Sequence, residues 1–327
     1  MATIQYRQFK ALLHARSFSA AARFAESQSV AHNDTNAFWL NQHAIALNRQ
    51  GEFAASLERT EKALRLDPDN AYILLARADA FAGNKQFKQA LDLYREIIRN
   101  RQVGQRARYG ILSCLSQQHR WTDLDACLAQ WNLPPRQALP WQVKSAAGKN
   151  RSDAAHELCK KWLAQEPDNP RALWELTRLE VSTEGIEPVR KRFGRLSKIP
   201  GKPHIYQEIY AWLCKRDGIV DAAVKQYEKL TQQDNDPRLI KKQAFALAKS
   251  GRESEAIGLM EELMRIDPKD YFIERSYIAA CRRIAQLERG WNFFHELRSL
   301  FPDDNSLWGK IKRIQKELEK TDSRQSS

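Results

Sequence analysis

Long apolar runs are missing from this chain. No stretch approaches the roughly 20 consecutive apolar residues of a membrane helix, so membrane association is not expected. The five cysteines are odd in number and include no CxxC pair, which argues against a disulfide framework. Phosphate-binding GxxxxGK[ST], a GxGxxG turn and HExxH are all absent. The seven histidines are dispersed, and His156-Glu157-Leu158-Cys159 lacks a second pair of ligands. DPDN and QQDNDP read as turns, since they lack the alternating carboxylates and closing Glu of a calcium loop. These absences lead to the expectation of a non-enzyme with no cofactor, no metal, no catalytic residues and no small-molecule substrate. The N-terminal MATIQYRQFKALLHARSF has scattered basic residues but no apolar core, so a secretory leader is not expected and a cytoplasmic address follows by default. Nothing in the chain reads as a strand.

What is present is a repeat. In AFWLNQHAIALNRQGEFAASLERTEKALRLDPDN, from Ala37 to Asn70, Leu40, His43, Ala44 and Leu47 share one helical face. Phe53, Leu57, Thr60, Ala63 and Leu64 share a face on a second helix. Gly51 suits a left-handed helix terminus, and Asp67-Pro68 stops the second helix. A pair this short cannot bury its apolar faces alone, and copies return with a period of about 34 residues. The second full copy carries Leu74, Ala78, Phe81, Phe87, Ala90, Tyr94 and Ile97; the fourth keeps phase with Leu112, Leu115, Trp121, Leu124 and Trp131. Copy five opens with Pro140 and is irregular; Pro170 suits the first turn of copy six. Gly218, Gly251 and Ala285 take the turn position in the last three copies. Leu307, Trp308, Ile311 and Ile314 form one stripe on a final helix from Ser306 to about Lys320.

Small residues near positions eight, twenty and twenty-seven, Gly or Asn near fifteen, an aromatic near seventeen and Pro near thirty-two resemble the tetratricopeptide repeat family. Ala44, Gly51, Phe53, Ser56, Ala63 and Pro68 take those places in the best copy. The resemblance implies an all-α fold, a right-handed α-solenoid of about nine helix pairs with a C-terminal capping helix. One superhelix is expected over residues 1–320, with its loosest junction at 199–203 and a disordered tail at 321–327. Cys159, Cys214 and Cys281 then fall at packing positions as small buried hydrophobes. His43 is expected to be a packing residue.

The resemblance also implies that the first helix of each pair lines a concave groove. Laid on the second half of the chain, the family's groove positions select Arg171, Trp174 and Arg178; Trp212, Lys215 and Arg216; Arg238, Lys241, Phe245 and Lys249; and Phe272, Arg275, Arg282 and Arg283. Glu208 is the sole acid among them. In the first half the corresponding set, Arg7, Asn41, Asn48, Arg49, Tyr72, Asp79 and Tyr109, is mixed in sign. Some family members grip a carboxylate tail with a Lys/Asn/Asn/Lys/Arg clamp. Here Arg7 can stand for the first member, but Ala11, Gln42, Tyr72 and Ala76 replace the others, so that ligand is not expected.

Fifty-three basic residues against 40 acidic give a net charge of +13, a field that favours acidic partners or nucleic acid. Guanidinium groups hold carboxylates or phosphates through paired hydrogen bonds, and aromatic faces supply stacking area. The expected function is a scaffold or adapter that binds an acidic peptide or protein in the basic, aromatic groove. Two alternatives remain: RNA or single-stranded DNA held by the same stripe, or a permanent subunit of a larger complex.

Overall fold

The computed structural model describes residues 2–302 and 304–325. Nineteen α-helices and no strand occur among the described residues. The chain divides into two compact units, Met1–Gln165 and Glu166–Ser327. The first contains five helix pairs: α1 (Ala2–His14) and α2 (Phe18–Ala31), α3 (Ala37–Gln50) and α4 (Phe53–Leu66), α5 (Ala71–Gly83) and α6 (Phe87–Ile97), α7 (Gly104–Gln117) and α8 (Trp121–Trp131), and α9 (Pro135–Gly148) and α10 (Ser152–Gln165). The second contains α11 (Pro170–Glu184) and α12 (Ile186–Leu196), α13 (His204–Arg216) and α14 (Val220–Gln233), α15 (Pro237–Lys249) and α16 (Glu253–Ile266), and α17 (Tyr271–Arg283) and α18 (Leu287–Leu300), followed by the single helix α19 (Ser306–Gln325). The division falls between α10 and α11 rather than at 199–203, which lies inside the second unit. There Lys202 Nζ donates to Asp168 Oδ1 at 2.9 Å, and the Tyr206 hydroxyl donates to the same oxygen, tying the 199–203 segment to the start of the unit.

Local chemistry starts and stops each pair. Asn36, Asn70, Asn169, Asp236 and Asp270 accept backbone N–H groups at the N-termini of α3, α5, α11, α15 and α17, satisfying donors that have no partner within the helix. The turn inside a pair requires positive φ. Gly51, Gly218 and Gly251 supply it at φ 85°, 85° and 82°, while Lys85, His119 and Ala285 adopt 61°, 56° and 54° at the same place in their pairs. Pro140 does not open its helix, as the sequence suggested. It lies inside α9, whose first residue is Pro135.

Packing follows the repeat. Within each unit every helix packs on the next, and in the first unit α3, α5, α7 and α9 also pack on one another in turn. Ala44, Ala63, Ala78 and Ala90 are fully buried, because only small side chains let the helices approach this closely. Ser56 substitutes for alanine without stranding its hydroxyl, which donates to the Ala44 carbonyl at 3.0 Å. Gly110 on α7 meets the Tyr94 ring from α6; a Cβ there would sit 2.4 Å from the ring. Cys159, Cys214 and Cys281 are buried free thiols, and His43 is buried at 4% exposure.

At the far end of the second unit, α19 covers the last pair with Leu307, Ile311 and Ile314, each buried. Trp308 does not share that stripe. It is 42% exposed, with the Arg298 guanidinium 3.8 Å from its ring centroid. The helix continues past Lys320 to Gln325, while residues 326 and 327 of the expected tail lie outside the described residues. No described helix is long and apolar enough to cross a membrane.

Candidate functional site

In the second unit the first helices of successive pairs are α11, α13, α15 and α17. Trp174 on α11 and Trp212 on α13 meet edge to face, ring centroids 5.3 Å apart. Lys242 on α15 reaches past α13 to place its ammonium 5.3 Å from the Trp174 ring centroid. Lys242 also pairs with Glu208 on α13. Arg216 lies 5.3 Å from the Trp212 ring centroid.

Lys215 and Lys249 complete this group. The Lys249 ammonium donates to the Lys215 backbone carbonyl at 2.8 Å. Burial, reinforced by the positive fields of Lys249 and Lys242, pushes the Lys215 ammonium below its ordinary pKa. Trp174, Trp212, Lys215 and Lys242 are half-buried and Arg216 and Lys249 are exposed at their edge, with Glu208 as the carboxylate paired with Lys242.

A second group lies between α15 and α17. Lys241 sits 5.8 Å from the Phe245 ring centroid and 5.7 Å from that of Phe272, and pairs with Asp270 at 2.5 Å. Phe272 and its neighbour Tyr271 are 68% and 60% exposed, an apolar step at the start of α17.

The remaining expected residues are engaged elsewhere or stand apart. Arg178 pairs with Glu175 on its own helix at 3.3 Å, and Arg238 folds back on the capping carboxylate of Asp236. Arg282 makes a two-point ion pair with Glu317 of α19, at 2.8 and 2.5 Å, and Arg283 pairs with Glu253 at 3.3 Å. Arg275 is exposed on α17, and Arg171 is exposed on α11. Lys242 is the residue that sequence reasoning missed. Glu208 and Lys242 are 34 residues apart while α13 and α15 begin at His204 and Pro237, so Lys242 falls one position beyond the register of Glu208. No group of three or more His, Cys, Asp or Glu side chains able to hold a metal occurs among the described residues.

The two units define a repeat protein of stacked helix pairs. Residues 41–111, from α3 into α7, match the family described as tetratricopeptide repeat, so the chain carries tetratricopeptide repeats. No curated protein matches the chain. Among solved structures it is similar to a tetratricopeptide repeat protein from Parabacteroides merdae, at 13% identity and a TM-score of 0.41, over 85% of this chain and 98% of that one. It is also similar to the TPR domain of P58(IPK), at 14% identity and a TM-score of 0.30, over 98% of both chains. Repeats of this class serve as scaffolds for protein–protein interaction.

Proposed function

We propose that the chain is a non-enzymatic adapter that binds an extended acidic peptide segment on the first-helix face of its second unit. The observation that carries this reading is the Lys215–Lys242–Lys249 group beside the Trp174–Trp212 pair. Of the three ammonium groups Lys242 alone is paired with Glu208, and Lys215 is depressed in pKa by burial and by its lysine neighbours. An acidic side chain entering the patch relieves that repulsion, and its neighbours along the peptide find half-buried indole faces. Lys241 with Phe245 and Phe272 extends the same pairing of cation and ring toward α17. An extended ligand spanning both groups takes its charge contacts from the first and an aromatic or aliphatic anchor from the second.

Fluorescence anisotropy with an array of labelled acidic decapeptides, with and without one aromatic residue, tests the proposal. Lys215→Glu combined with Lys249→Glu is expected to abolish binding, and Trp174→Ala to weaken it by about tenfold, roughly 1.4 kcal/mol. Unchanged affinity in both variants refutes the patch. A single-stranded oligonucleotide that outcompetes every peptide, with affinity falling steeply as salt rises, reassigns the patch to nucleic acid.

A further inference from the structure

The densest arginine cluster belongs to the first unit and takes no part in the patch described above. A cleft of about 920 Å³ opens between the end of α6, the first three turns of α7 and the length of α8. Arg95, Arg99, Arg101, Arg108 and Arg120 line it, and Asp123 is the carboxylate among the lining residues. That carboxylate is already taken, because Arg120 pairs with it at 2.6 Å. Arg95 is within 3.5 Å of Asp92 outside the cleft. Arg99, Arg101 and Arg108 have no ion-pair partner among the described residues, so three arginines line one cleft without a carboxylate of their own.

The floor differs in kind from the rim. Ile111 and Leu115 of α7 form it, both buried, and Trp131 closes one side. The Arg108 guanidinium lies 5.9 Å from the Trp131 ring centroid, and its Nε is shut off from solvent without a hydrogen-bond partner. A buried, unpartnered guanidinium N–H is costly unless an acceptor completes it. Here that donor belongs to a side chain lining an open, strongly positive cleft.

We propose that this cleft binds an organic polyphosphate of nucleotide size. Its volume lies within the several-hundred to about 1,000 Å³ typical of small-ligand sites. Phosphoryl oxygens match the planar two-point geometry of guanidinium groups, and two or more clustered phosphates answer three arginines better than a single carboxylate does. The apolar floor and the Trp131 indole accept the ring that such a ligand carries. The site sits in a different unit from the peptide patch and does not depend on it.

Isothermal titration near physiological salt, about 0.15 M, tests this with ATP free of magnesium, tripolyphosphate and adenosine as probes. ATP is expected to bind, tripolyphosphate to bind more weakly, and adenosine to give no signal. Replacing both exposed residues, Arg99→Ala with Arg101→Ala, should cost at least about tenfold in ATP affinity without changing the circular-dichroism melt. Arg108→Lys keeps the charge but loses the fork and the ring contact, and should also weaken ATP. Lys88→Ala, exposed on α6 and outside the cleft, should leave ATP binding unchanged. Absence of binding by both ATP and tripolyphosphate, or affinities indifferent to the first-unit substitutions, overturns the proposal. So does a ten-nucleotide RNA that binds the cleft far more tightly than ATP, which would make the ligand a polynucleotide.

Discussion

Lowering the pH from 7 to 5 should destabilise the first unit through His43. The side chain lies on α3 at 4% exposure, and its Nδ1 has no hydrogen-bond partner. Burial, with the nearby Arg59 charge adding to it and Asp34 opposing, lowers its pKa from 6.5 to about 4. The folded state therefore resists a proton that the unfolded state accepts. Between the two pKa values the unfolded chain binds more protons, so stability rises with pH across this window and is lost as pH falls from about 6.5 toward about 4. With those two values, one site contributes a loss of about 2 kcal/mol between pH 7 and pH 5, and about 3 kcal/mol by pH 4. Carboxylates titrate over part of the same range, so the comparison is wild type against His43→Gln, which removes the titrating ring. Urea unfolding at both pH values, read by hydrogen exchange of the α3 amides, should show a pH-dependent loss about 2 kcal/mol larger in the wild type. An imidazole NMR titration should place His43 well below 6.5, at about 4. Equal pH dependence in the two proteins, or a His43 resonance that titrates near 6.5, would refute the reasoning.

Other perturbations test the packing. Gly110→Val should cost about 1–3 kcal/mol, because its Cβ alone would fall 2.4 Å from the buried Tyr94 ring; a thermal melt no lower than wild type contradicts this. Ala285→Gly should stabilise the second unit by roughly 0.5–1 kcal/mol in urea unfolding, since the residue holds φ 54° at the turn position where Gly218 and Gly251 stand in the neighbouring pairs. Ile311→Ala should cost about 2–5 kcal/mol by emptying the contact through which α19 covers the last helix pair, and should raise protease sensitivity of α18.

The helix pairs were legible because their determinants are local. Asparagine or aspartate caps, a left-handed turn residue and a three-to-four spacing of apolar residues act within a few positions, and a period of about 34 residues repeats them. Ser56 and Cys214 were recognisable as small buried residues for the same reason. The site was legible only in part. Register placed Trp174, Trp212, Lys215 and Lys249 on one face, and they meet there. Register does not report charge pairing, which depends on side-chain reach. Arg238 turns back to its own cap at Asp236, and Arg282 is claimed by Glu317 on α19, a helix outside the repeat. Lys242 lay one position off the expected groove set, yet its long stem carries the ammonium to the Trp174 ring. Trp308 looked like part of an apolar stripe, but i and i+1 on a helix point about 100° apart, and Leu307 took the buried side. The arginine cleft was harder still to see. Its residues come from two pairs and the turn between them, and they share no single register position.

The claim on which the functional account stands is that the Lys215–Lys242–Lys249 group receives acidic side chains. An NMR titration of the lysine ammonium groups, with and without an acidic decapeptide, tests it most directly. In the free protein Lys215 should titrate below the ordinary lysine value, as its burial and its positive neighbours require. Saturating peptide should raise its pKa, because a carboxylate beside an ammonium favours the charged form. A Lys215 pKa that is already ordinary in the free protein, or one that acidic peptide leaves unmoved, would contradict the account.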